Sequence, residues 1–414
     1  MSEESIFLKQ KFAEYYRDNI KHIQPPESFM KREFGFILYK EKMMIRHKSF
    51  QSLDAFKNFF ISSAPLDIYY SSAYYEMPQE SMEKKGWLGA DLTFDIDSDH
   101  LKTHCQPNHV YWTCKSCDNA GTGKQPKICP RCEGSSFKEE AWLCDTCLNA
   151  AKKETLKLVK FLTEDFGFPS EDIEVCFSGQ RGYHVRVSQL DVRQFNQTAR
   201  KEIVDYVSGT GLMIEQFGWV EHGRGKTREV IGPKLSEPGW HGKIAQGVYD
   251  LLSSFTLEQI PGIKKTIVNA LYDNRELILK NWDSGLNLGT IKGLDSNEMK
   301  KIIQYIIDNH RVSSVIDSVV TTDLHRLIRL PFSLHSKTGL MAVDVPLNNL
   351  NEFNPLKEAI AFKQGTLKIF VNESYRFRVG DEEFSPFLQQ NVELPTAAAI
   401  YLLCKKAAVL AKNP

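Results

Sequence analysis

The sequence predicts a mixed α/β fold, in which sheets are flanked by helices, with an inserted metal-binding module and a small helical subdomain. β-like runs alternate with amphipathic segments over residues 1–208 and 311–414, and seven of the nine cysteines lie between Cys105 and Cys147. Residues 243–310 carry a helical pattern without a good strand candidate. Because 414 residues are too many for one compact core, we expect an α/β domain (1–208 and 311–414), a module within it (104–147) and a mainly helical subdomain (209–310).

Composition and charge argue against several classes of protein. An apolar fraction of 42% and a charged fraction of 25% are typical of a soluble globular protein. The formal net charge is zero, which argues against coating of nucleic acid by bulk electrostatic attraction. There is no run of about 18 apolar residues, and the acidic N-terminus lacks the apolar segment of a signal peptide. We therefore expect no membrane span, and any nucleic-acid contact must come from local basic patches or a partner subunit.

The first hundred residues predict a helix followed by several strands. Ile6, Phe12 and Tyr16, with charged residues between them, indicate an amphipathic helix over residues 4–22, which Pro25 and Pro26 end. The next predicted elements are strands Arg32–Tyr39 and Lys42–Phe50, a short helix near Ser52–Phe60, a β-like segment Asp67–Tyr75 and an acidic strand beginning at Leu92.

Apolar and acidic residues alternate from Leu92 to Asp99. Because strand side chains alternate between faces, Asp95 and Asp97 would project from one face while Phe94 and Ile96 are buried on the other. Two carboxylates about 7 Å apart on one strand repel each other unless a cation lies between them. A hard divalent ion with oxygen ligands is the usual solution, although a solvated strand face beside a turn has the same pattern.

The cysteine cluster predicts bound metal. Six of its members form C-x-x-C pairs, and a long chain without a signal peptide favours metal over disulfides. Zinc prefers four tetrahedral thiolate or imidazole ligands, and closure by four protein ligands predicts a structural rather than a catalytic ion. Seven cysteines and one histidine fill two such sites. Cys176 and Cys404, isolated in apolar surroundings, are expected to be ordinary buried thiols.

The natural partition of these ligands gives two zinc sites. One site takes Cys114, Cys117, Cys129 and Cys132, and the other takes Cys105, His109, Cys144 and Cys147. The spacing between Cys132 and Cys144 equals the spacing within the first site, so the other pairing stays open. His104 stays an alternative to His109.

A glycine-rich turn is the second candidate site. Residues 148–166 predict a long amphipathic helix, and strands Ile173–Phe177 and Val185–Val187 then flank the turn Ser178–His184. Its two glycines permit a tight turn, while Ser178, Arg181 and His184 offer a hydroxyl, a planar cation and an imidazole close together. Such a set suits a triphosphate, because arginine binds phosphate bidentately. A glycine-rich hairpin with one surface arginine is the ordinary alternative.

The middle of the chain predicts a boundary followed by helices. Residues 209–243 are rich in glycine and proline and contain the basic run His222–Arg228. That run is either a solvated loop or a contact with nucleic acid.

The third cluster lies within residues 315–339. Asp317 ends an apolar, β-like run and is a candidate third carboxylate beside Asp95 and Asp97. Arg326 and Arg329, at i and i+3, would share a face if their segment is helical, and Pro331 would end that helix before His335. Residues 340–380 predict strands and turns, and a final helix opened by Pro395 is predicted through Ala397–Leu410.

Together these motifs resemble the small, catalytic subunit of archaeal and eukaryotic DNA primase, most closely the archaeal form. The resemblance covers nearly the whole chain and is specific because the motifs occur jointly and in this order. The motifs are Arg32–Phe34, Ile45–Phe50, Phe94–Asp97, Ser178–His184 and Arg326–Gly339.

The resemblance implies the archaeo-eukaryotic primase fold and a nucleotidyltransferase that starts short primers de novo on single-stranded DNA for replication, a DNA-directed RNA polymerase activity. It implies that Asp95, Asp97 and Asp317 hold two divalent ions, Mg²⁺ or Mn²⁺. Asp323 is a rival to Asp317, and its ordinary role would be a helix N-cap or first-turn carboxylate. The implied triphosphate-binding residues are Ser178, Arg181, His184, Arg329 and His335. Glu33 and Arg46 match other active-site positions.

The resemblance also implies partners and shows departures. The implied partners are a large subunit with an iron–sulfur cluster, forming a heterodimer within the primosome, a single-stranded DNA template, and NTPs or dNTPs; the implied location is cytoplasmic in an archaeal-type cell, or nuclear in a eukaryote. This chain lacks four further cysteines to hold that cluster itself. The family's single zinc knuckle would be Cys105, His109, Cys144 and Cys147, so block 110–143 looks like an insertion with a second zinc. Gln180 stands where some relatives have arginine.

Two alternative functions remain at the level of sequence. A primase–polymerase of repair or of a plasmid or virus would share the three aspartates, but would be marked by a fused helicase or nuclease module. A non-catalytic zinc-ribbon scaffold that binds nucleic acid would be marked by loss of a carboxylate or a phosphate-binding residue.

Overall fold

The computed structural model describes residues 2–39, 43–217, 220–223, 229–254, 256–284, 291, 294–309 and 311–411. The chain divides into two compact units. The first comprises Met1–Leu156, Ser170–Lys201 and Ile316–Pro414, and the second comprises Lys157–Pro169 and Glu202–Val315. The mixed α/β fold class is confirmed, while the domain limits at residues 209 and 310 stay a prediction.

The helices and strands follow one another as the sequence broadly predicts. The helices are α1 Glu3–Asn19, α2 Leu53–Ser63, α3 Asp145–Lys160, α4 Gln197–Ser208, α5 Gly239–Ser253, α6 Lys265–Asp273, α7 Arg275–Lys280, α8 Ser296–Asp308, α9 Ser318–Thr322, α10 Pro355–Glu358 and α11 Thr396–Cys404. The strands are β1 Phe34–Ile37, β2 Met44–Lys48, β3 Asp67–Ser71, β4 Ala73–Tyr75, β5 Trp87–Ala90, β6 Leu92–Asp97, β7 Val110–Cys114, β8 Ala120–Thr122, β9 Phe137–Ala141, β10 Ile173–Phe177, β11 Gly182–Val187, β12 Val220–His222, β13 Glu229–Ile231, β14 Leu327–Arg329, β15 Val343–Asp344, β16 Thr366–Glu373, β17 Phe377–Val379, β18 Glu382–Phe384, β19 Leu388–Pro395 and β20 Ala408–Leu410.

Two antiparallel sheets carry the first unit. Within the described residues, one sheet has the strand order β14-β3-β1-β2 and the other has β15-β10-β11-β6. Phe34 and Phe36, two residues apart on β1, face α2 and contact Phe56 and Phe60, with ring centroids 5.4 and 6.2 Å apart. All four rings are fully buried, so this aromatic layer holds α2 against the first sheet. The acidic strand β6 lies at an edge of the second sheet.

The second unit is mainly helical. Buried residues of α5, α6, α7 and α8 form one apolar core, with members such as Leu251, Ile267, Ile278 and Ile302. The hairpin β12–β13 precedes these helices. Of the predicted basic run His222–Arg228, the residues from 224 to 228 lie outside the described part of the chain. Every helix among the described residues is too short or too polar to cross a bilayer.

The predicted C-terminal helix is wrong in its length. It ends at Cys404 rather than reaching Leu410, because Lys406 adopts a left-handed backbone conformation with φ of 60°. The next residues form β20, which pairs with β16 through Val409 and Leu410. β-branched and aromatic neighbours on β16 offer a sheet edge, so tertiary pairing overrides the helical pattern.

Candidate active site

The acidic strand β6 alternates as its sequence predicts. Phe94 and Ile96 are buried, each 1% exposed, while Asp95 and Asp97 are partly exposed on the opposite face. On the neighbouring strand β11, His184 stands directly opposite Asp95, and its Nε2 lies 3.3 Å from Oδ1 of Asp95. Burial raises the pKa of the Asp95 carboxyl; the charges of His184 and Arg326 lower it, and those of Asp97 and Asp317 raise it. A carboxylate placed among other carboxylates in this way favours a bound cation.

Asp317 reaches the acidic strand through its main chain. Its N–H donates to the carbonyl oxygen of Asp95 over 2.9 Å, along the free edge of β6. The prediction that Asp317 ends a β-like run is wrong: it is the N-cap of α9, and its Oδ1 accepts from the N–H of Val319 at 2.9 Å. The suggested N-cap or first-turn role of Asp323 is also wrong, because Asp323 ends α9 and its Oδ1 accepts from the N–H of His325.

The three carboxylates are neighbours rather than a tight cluster. Among the described residues, groups with all ligand atoms within 4.8 Å of one another consist of cysteine and histidine, and these aspartates are not among them.

The turn between β10 and β11 places the second set of side chains beside Asp97. Gly179 has a φ of +81°, and a Cβ there would lie 3.0 Å from Cβ of His335. Gly182 faces Asp97, and a Cβ at this position would meet the carbonyl oxygen of Ile96 at 2.3 Å. Gly179 is therefore required by its left-handed backbone and the nearby His335 side chain, and Gly182 by the close approach of the Ile96 backbone. Oγ of Ser178 accepts from the N–H groups of Gly182 and Gln180 at 3.3 and 3.4 Å.

Arg181 at this turn is held by an acidic neighbour. Its guanidinium pairs with the carboxylate of Asp99, just beyond β6. Nε of Arg181 is buried and has no hydrogen-bond partner among the described residues. Burial raises the pKa of Asp99, Arg181 lowers it, and Asp97 and Glu139 raise it. The carboxylate of Asp99 thus occupies the guanidinium of Arg181, which could otherwise bind an anionic ligand.

The predicted helix around Arg326 and Arg329 is wrong. Residues Leu327–Arg329 form strand β14, which pairs with β3, so the helical spacing argument does not apply. Arg329 is buried and donates to Oδ1 of Asp67 at 2.9 Å, and to the hydroxyl of Tyr69 at 2.9 Å. The charges of Arg329 and Arg326 nevertheless both lower the pKa of His184, after burial as the main cause. Both cations therefore belong to the environment of Asp95 and His184.

His335 is buried and neutral. Burial, followed by the charge of Arg329, holds its pKa well below the ordinary value. Its Nδ1 accepts from the N–H of Lys337 at 3.1 Å, which assigns the proton to Nε2. Nε2 of His335 is thus a hydrogen-bond donor on an uncharged ring.

Glu33 lies at the centre of a buried ionic cluster. Its carboxylate accepts from Nε of Arg46 at 2.9 Å and from Nζ of Lys85 at 2.6 Å, and its Oε1 also accepts from the N–H of His47 at 3.0 Å. Burial opposes ionisation, but Arg46 and Lys85 outweigh it and lower the pKa of Glu33. Arg46 is an exposed member of this cluster, with 38% of its side chain accessible.

The cysteines gather into two groups. One group is Cys105, His109, Cys144 and Cys147, and the other is Cys114, Cys117, Cys129 and Cys132. Sγ atoms lie 3.4 Å apart for Cys105 and Cys147, and 3.5 Å apart for Cys114 and Cys132. Tetrahedral thiolates around zinc stand about 3.8 Å apart, so both groups fit a four-coordinate ion. The structure places His109, with Nε2 at 3.2 Å from Sγ of Cys147, in the position for which His104 was the alternative.

Backbone N–H groups also prepare the second cysteine group for metal. Burial opposes ionisation of Cys129, but the N–H groups of Arg131 and Cys132 lower the pKa of Cys129 to about 6. Thiolate is the form that ligates metal. In the same group the N–H of Gly134 lowers the pKa of Cys132, but the thiols of Cys117 and Cys114 outweigh it and raise that pKa to about 12. Cys114 ends β7 of the small sheet β8-β7-β9, and the other three cysteines lie between its strands. Of the two remaining cysteines, Cys176 is buried as predicted, whereas Cys404 is only partly buried.

Comparison with known proteins identifies the family. Residues 130–348, just over half of the chain, match the family described as DNA primase small subunit. A protein of Methanococcoides burtonii named DNA primase small subunit PriS is 34% identical over 97% of this chain and 97% of its own length. The chain belongs to the DNA primase small subunit family.

Further relatives match the chain over nearly its whole length, including the residues before position 130. Proteins with the same name from Methanothrix thermoacetophila and Nitrosopumilus maritimus are 32% and 30% identical, covering 98% and 99% of this chain and 98% and 100% of their own lengths. The resemblance to the primase small subunit that the motifs predict is thereby confirmed. Asp95 and Asp97 lie before the matched family region and within these full-length similarities.

Several side chains around the candidate site carry no local sequence signal. Lys85 and Asp67 hold Glu33 and Arg329, yet each lies in a segment whose pattern is ordinary. Lys85 follows another lysine, a pattern typical of an exposed surface, although its side chain is only 1% exposed. Only the long-range pairings of strands bring these residues to the site, so spacing alone could not find them.

Proposed function

We propose that this chain is the catalytic subunit of a DNA primase, which joins nucleotides de novo on a single-stranded DNA template to make primers for replication. The observation that carries the proposal is the meeting of Asp95, Asp97 and Asp317 at the free edge of β6, where Asp317 is joined to Asp95 by a 2.9 Å main-chain hydrogen bond. Membership of the primase small subunit family supports it. The reaction is nucleotidyl transfer to a 3′-hydroxyl.

The carboxylates are proposed to hold two divalent ions, Mg²⁺ or Mn²⁺. Oxygen ligands suit these hard ions, and the raised pKa of Asp95 among its acidic neighbours fits a site that takes up cations. Such ions activate the attacking hydroxyl and neutralise charge on the leaving pyrophosphate when bound. Asp95, Asp97 and Asp317 would hold them, and Nε2 of His184 keeps the carboxylate of Asp95 oriented.

The basic residues beside the carboxylates are proposed to bind the triphosphate of the incoming nucleotide. Arg181 supplies a planar cation, and Ser178 a hydroxyl whose oxygen already accepts from the turn. Arg329 is fixed by Asp67 and retains further N–H donors, while His335 donates from a neutral Nε2. His184 completes this set, which combines charge with fixed donors, and Arg181 exchanges its pairing with Asp99 for the phosphate on binding.

Glu33 and Arg46 are proposed to contact another part of the nucleotide or the template. Glu33 is already held by Lys85, so its role is to orient the exposed guanidinium of Arg46. An arginine held in this way loses less side-chain entropy when it binds.

The two cysteine groups are proposed to hold one structural Zn²⁺ each. Four protein ligands around each ion leave no open coordination position, which favours a structural role. The group at Cys105, His109, Cys144 and Cys147 corresponds to the family's knuckle, and the other group stabilises the inserted sheet β8-β7-β9.

The proposed partners follow from the family. The relatives are named small subunits, so we propose a heterodimer with a large, iron–sulfur subunit, and a cytoplasmic location. NTPs and dNTPs are both proposed substrates.

One assay tests the proposed function directly. Purified chain is incubated with single-stranded template, radiolabelled nucleotides and Mn²⁺, and the products are sized on a denaturing gel. Short products that require template, nucleotide and metal are expected. The same preparation carrying Asp97→Asn controls for contaminating polymerases, and products of equal yield from that variant would refute the proposal.

A further inference from the structure

Lys405 is a partly buried cation that the proposed site does not yet use. It follows the apolar helix α11, whose residues Ile400, Tyr401 and Leu402 are fully buried. The side chain of Lys405 is partly buried, and its Nζ donates to the carbonyl oxygen of Ala141, at the end of β9, over 2.5 Å. The hydroxyl of Tyr401 accepts from the N–H of Leu143 at 3.1 Å. Helix α11 is thus fixed to the segment that leads to Cys144 and Cys147.

The surroundings of Lys405 are those of the proposed triphosphate pocket. The residue before Lys405 packs against the turn after His335, since a Cβ on Gly339 would lie 3.8 Å from Sγ of Cys404. Thr338 in that turn donates to the carbonyl oxygen of Gly179 at 2.6 Å, beside Arg181. The charged groups that act on the ammonium of Lys405 are Arg181, Glu140, Lys337 and Asp99. Its own charge acts on His335. Burial, followed by the charge of Arg181, lowers the pKa of Lys405 to about 8. Of its two acidic neighbours, Asp99 is paired with Arg181 and Glu140 is paired with Lys138, so neither carboxylate is a dedicated counter-ion of Lys405.

The hydrogen-bonding capacity of this group is also unfilled. An ammonium carries three N–H donors, and among the described residues the acceptor for Nζ of Lys405 is the carbonyl of Ala141 alone. Nε of the neighbouring Arg181 is likewise buried without a partner in the described part of the chain. The buried Nε of Arg181 is costly to leave unpaired, and an anion with several oxygens would accept from it and from the further N–H groups of Lys405.

We propose that Lys405, from the C-terminal helix, binds the polyphosphate of the incoming nucleotide together with Arg181. The inference rests on the proposed function and adds to it a residue from a part of the chain that carries no recognisable motif. A bound polyphosphate supplies both the missing counter-charge and the missing acceptors. Because Nζ is anchored to Ala141, binding there also couples the pocket to the segment that carries Cys144.

Neighbouring lysines provide a matched test. Lys405→Gln removes the charge at the pocket, whereas Lys406→Gln removes an exposed charge one residue later. Binding of a non-hydrolysable nucleoside triphosphate and of the corresponding monophosphate is measured by calorimetry with Mn²⁺, and primer extension gives KM and kcat. For Lys405→Gln we expect the triphosphate Kd and the nucleotide KM to rise roughly ten-fold, with monophosphate affinity and kcat nearly unchanged. Lys405→Arg should restore most of the affinity, and Lys406→Gln should resemble the parent protein.

Triphosphate affinity equal to that of the parent protein would overturn the inference. So would equal losses in kcat, template affinity and melting temperature with no selective loss for triphosphate, because that pattern marks a purely structural lysine. If the parent protein makes no primers while Lys405→Gln still loses triphosphate affinity, the proposed function fails and the binding role stands.

A second measurement needs no variant and so does not depend on folding of Lys405→Gln. The intact protein is treated with an amine-acetylating reagent, and modification of Lys405 and Lys406 is followed by mass spectrometry. Inorganic tripolyphosphate should slow acetylation of Lys405 several-fold more than that of Lys406, and orthophosphate should protect far less. Equal rates at Lys405 with and without saturating tripolyphosphate would contradict the proposal.

Discussion

The guanidinium group of Arg181 is paired with the carboxylate of Asp99, which lies just beyond the acidic strand. In the proposed reaction this arginine must meet a phosphate, so Asp99 acts as an internal competitor for the same cation. Asp99 is 42% exposed on its side chain and Arg181 is 14% exposed, which makes the pair accessible enough to exchange. We therefore expect Asp99 to weaken the binding of an anion to Arg181.

Substitution of Asp99 should strengthen nucleotide binding. Asp99→Asn removes the competing charge, and we expect the KM for nucleotide to fall about two- to five-fold, as is typical of a partly exposed ion pair. Primer-extension kinetics measure it, with the exposed Asp191→Asn as a control. A raised KM would instead mean that Asp99 positions Arg181 for binding.

Loss of either strand carboxylate should abolish synthesis. Asp95→Asn and Asp97→Asn each remove a proposed metal ligand, so we expect the rate of primer synthesis to fall by about a hundred-fold or more. Circular dichroism and single-stranded DNA binding should stay close to those of the parent protein. EDTA should likewise stop the parent enzyme, and full turnover in EDTA is incompatible with the proposed mechanism.

Two zinc ions per chain are expected from elemental analysis. Cys117→Ser should leave one, because it removes a ligand from the group on β8-β7-β9 and leaves the group at Cys105 intact. Cys176→Ala, which alters a buried thiol outside both groups, should retain two. A content of one zinc in the parent protein would remove the second site.

A buried ionic cluster predicts a pH-dependent loss of stability. Asp91 is fully buried and accepts from Arg32 at 2.7 Å and from Arg186 at 3.0 Å. Burial opposes ionisation, but these arginines outweigh it and hold the pKa of Asp91 below its ordinary 3.8. Stabilisation by the carboxylate is therefore complete above pH 3.8 and is lost as pH falls through the lowered, folded-state pKa.

Asp91→Asn should accordingly lower the free energy of unfolding by about 3–5 kcal/mol at pH 7, as expected when a buried pair is broken. The difference from the parent protein should shrink well below pH 3.8, where the parent's own carboxylate becomes protonated. Urea unfolding at both pH values measures it. An unchanged difference in acid would show that lost hydrogen bonds, rather than charge, cause the destabilisation.

Local patterns were sufficient for part of the fold and site. Alternation along β6 predicts which face carries Asp95 and Asp97, because the period of a strand is fixed by its backbone. The C-x-x-C spacing similarly points to metal groups, since each pair comes from one tight turn. Patterns failed where partners distant in sequence decide the outcome: Leu327–Arg329 is a strand because β3 pairs with it. The sequence pattern does not mark Lys85 or Lys405 either, because the residues that surround them in the structure are distant in sequence.

The hydrogen bond between the N–H of Asp317 and the carbonyl of Asp95 has an evolutionary consequence. This hydrogen bond joins two backbone atoms, so substitution of the side chain at position 95 or 317 need not break it. Proline at position 317 is the exception, because proline has no N–H to donate. Whatever the chain inserts between these two residues can lengthen, shorten or be exchanged during divergence, provided that its ends return to this junction. The cysteine-rich sheet β8-β7-β9 lies within this stretch, and we expect its length to vary among relatives without disturbing the junction.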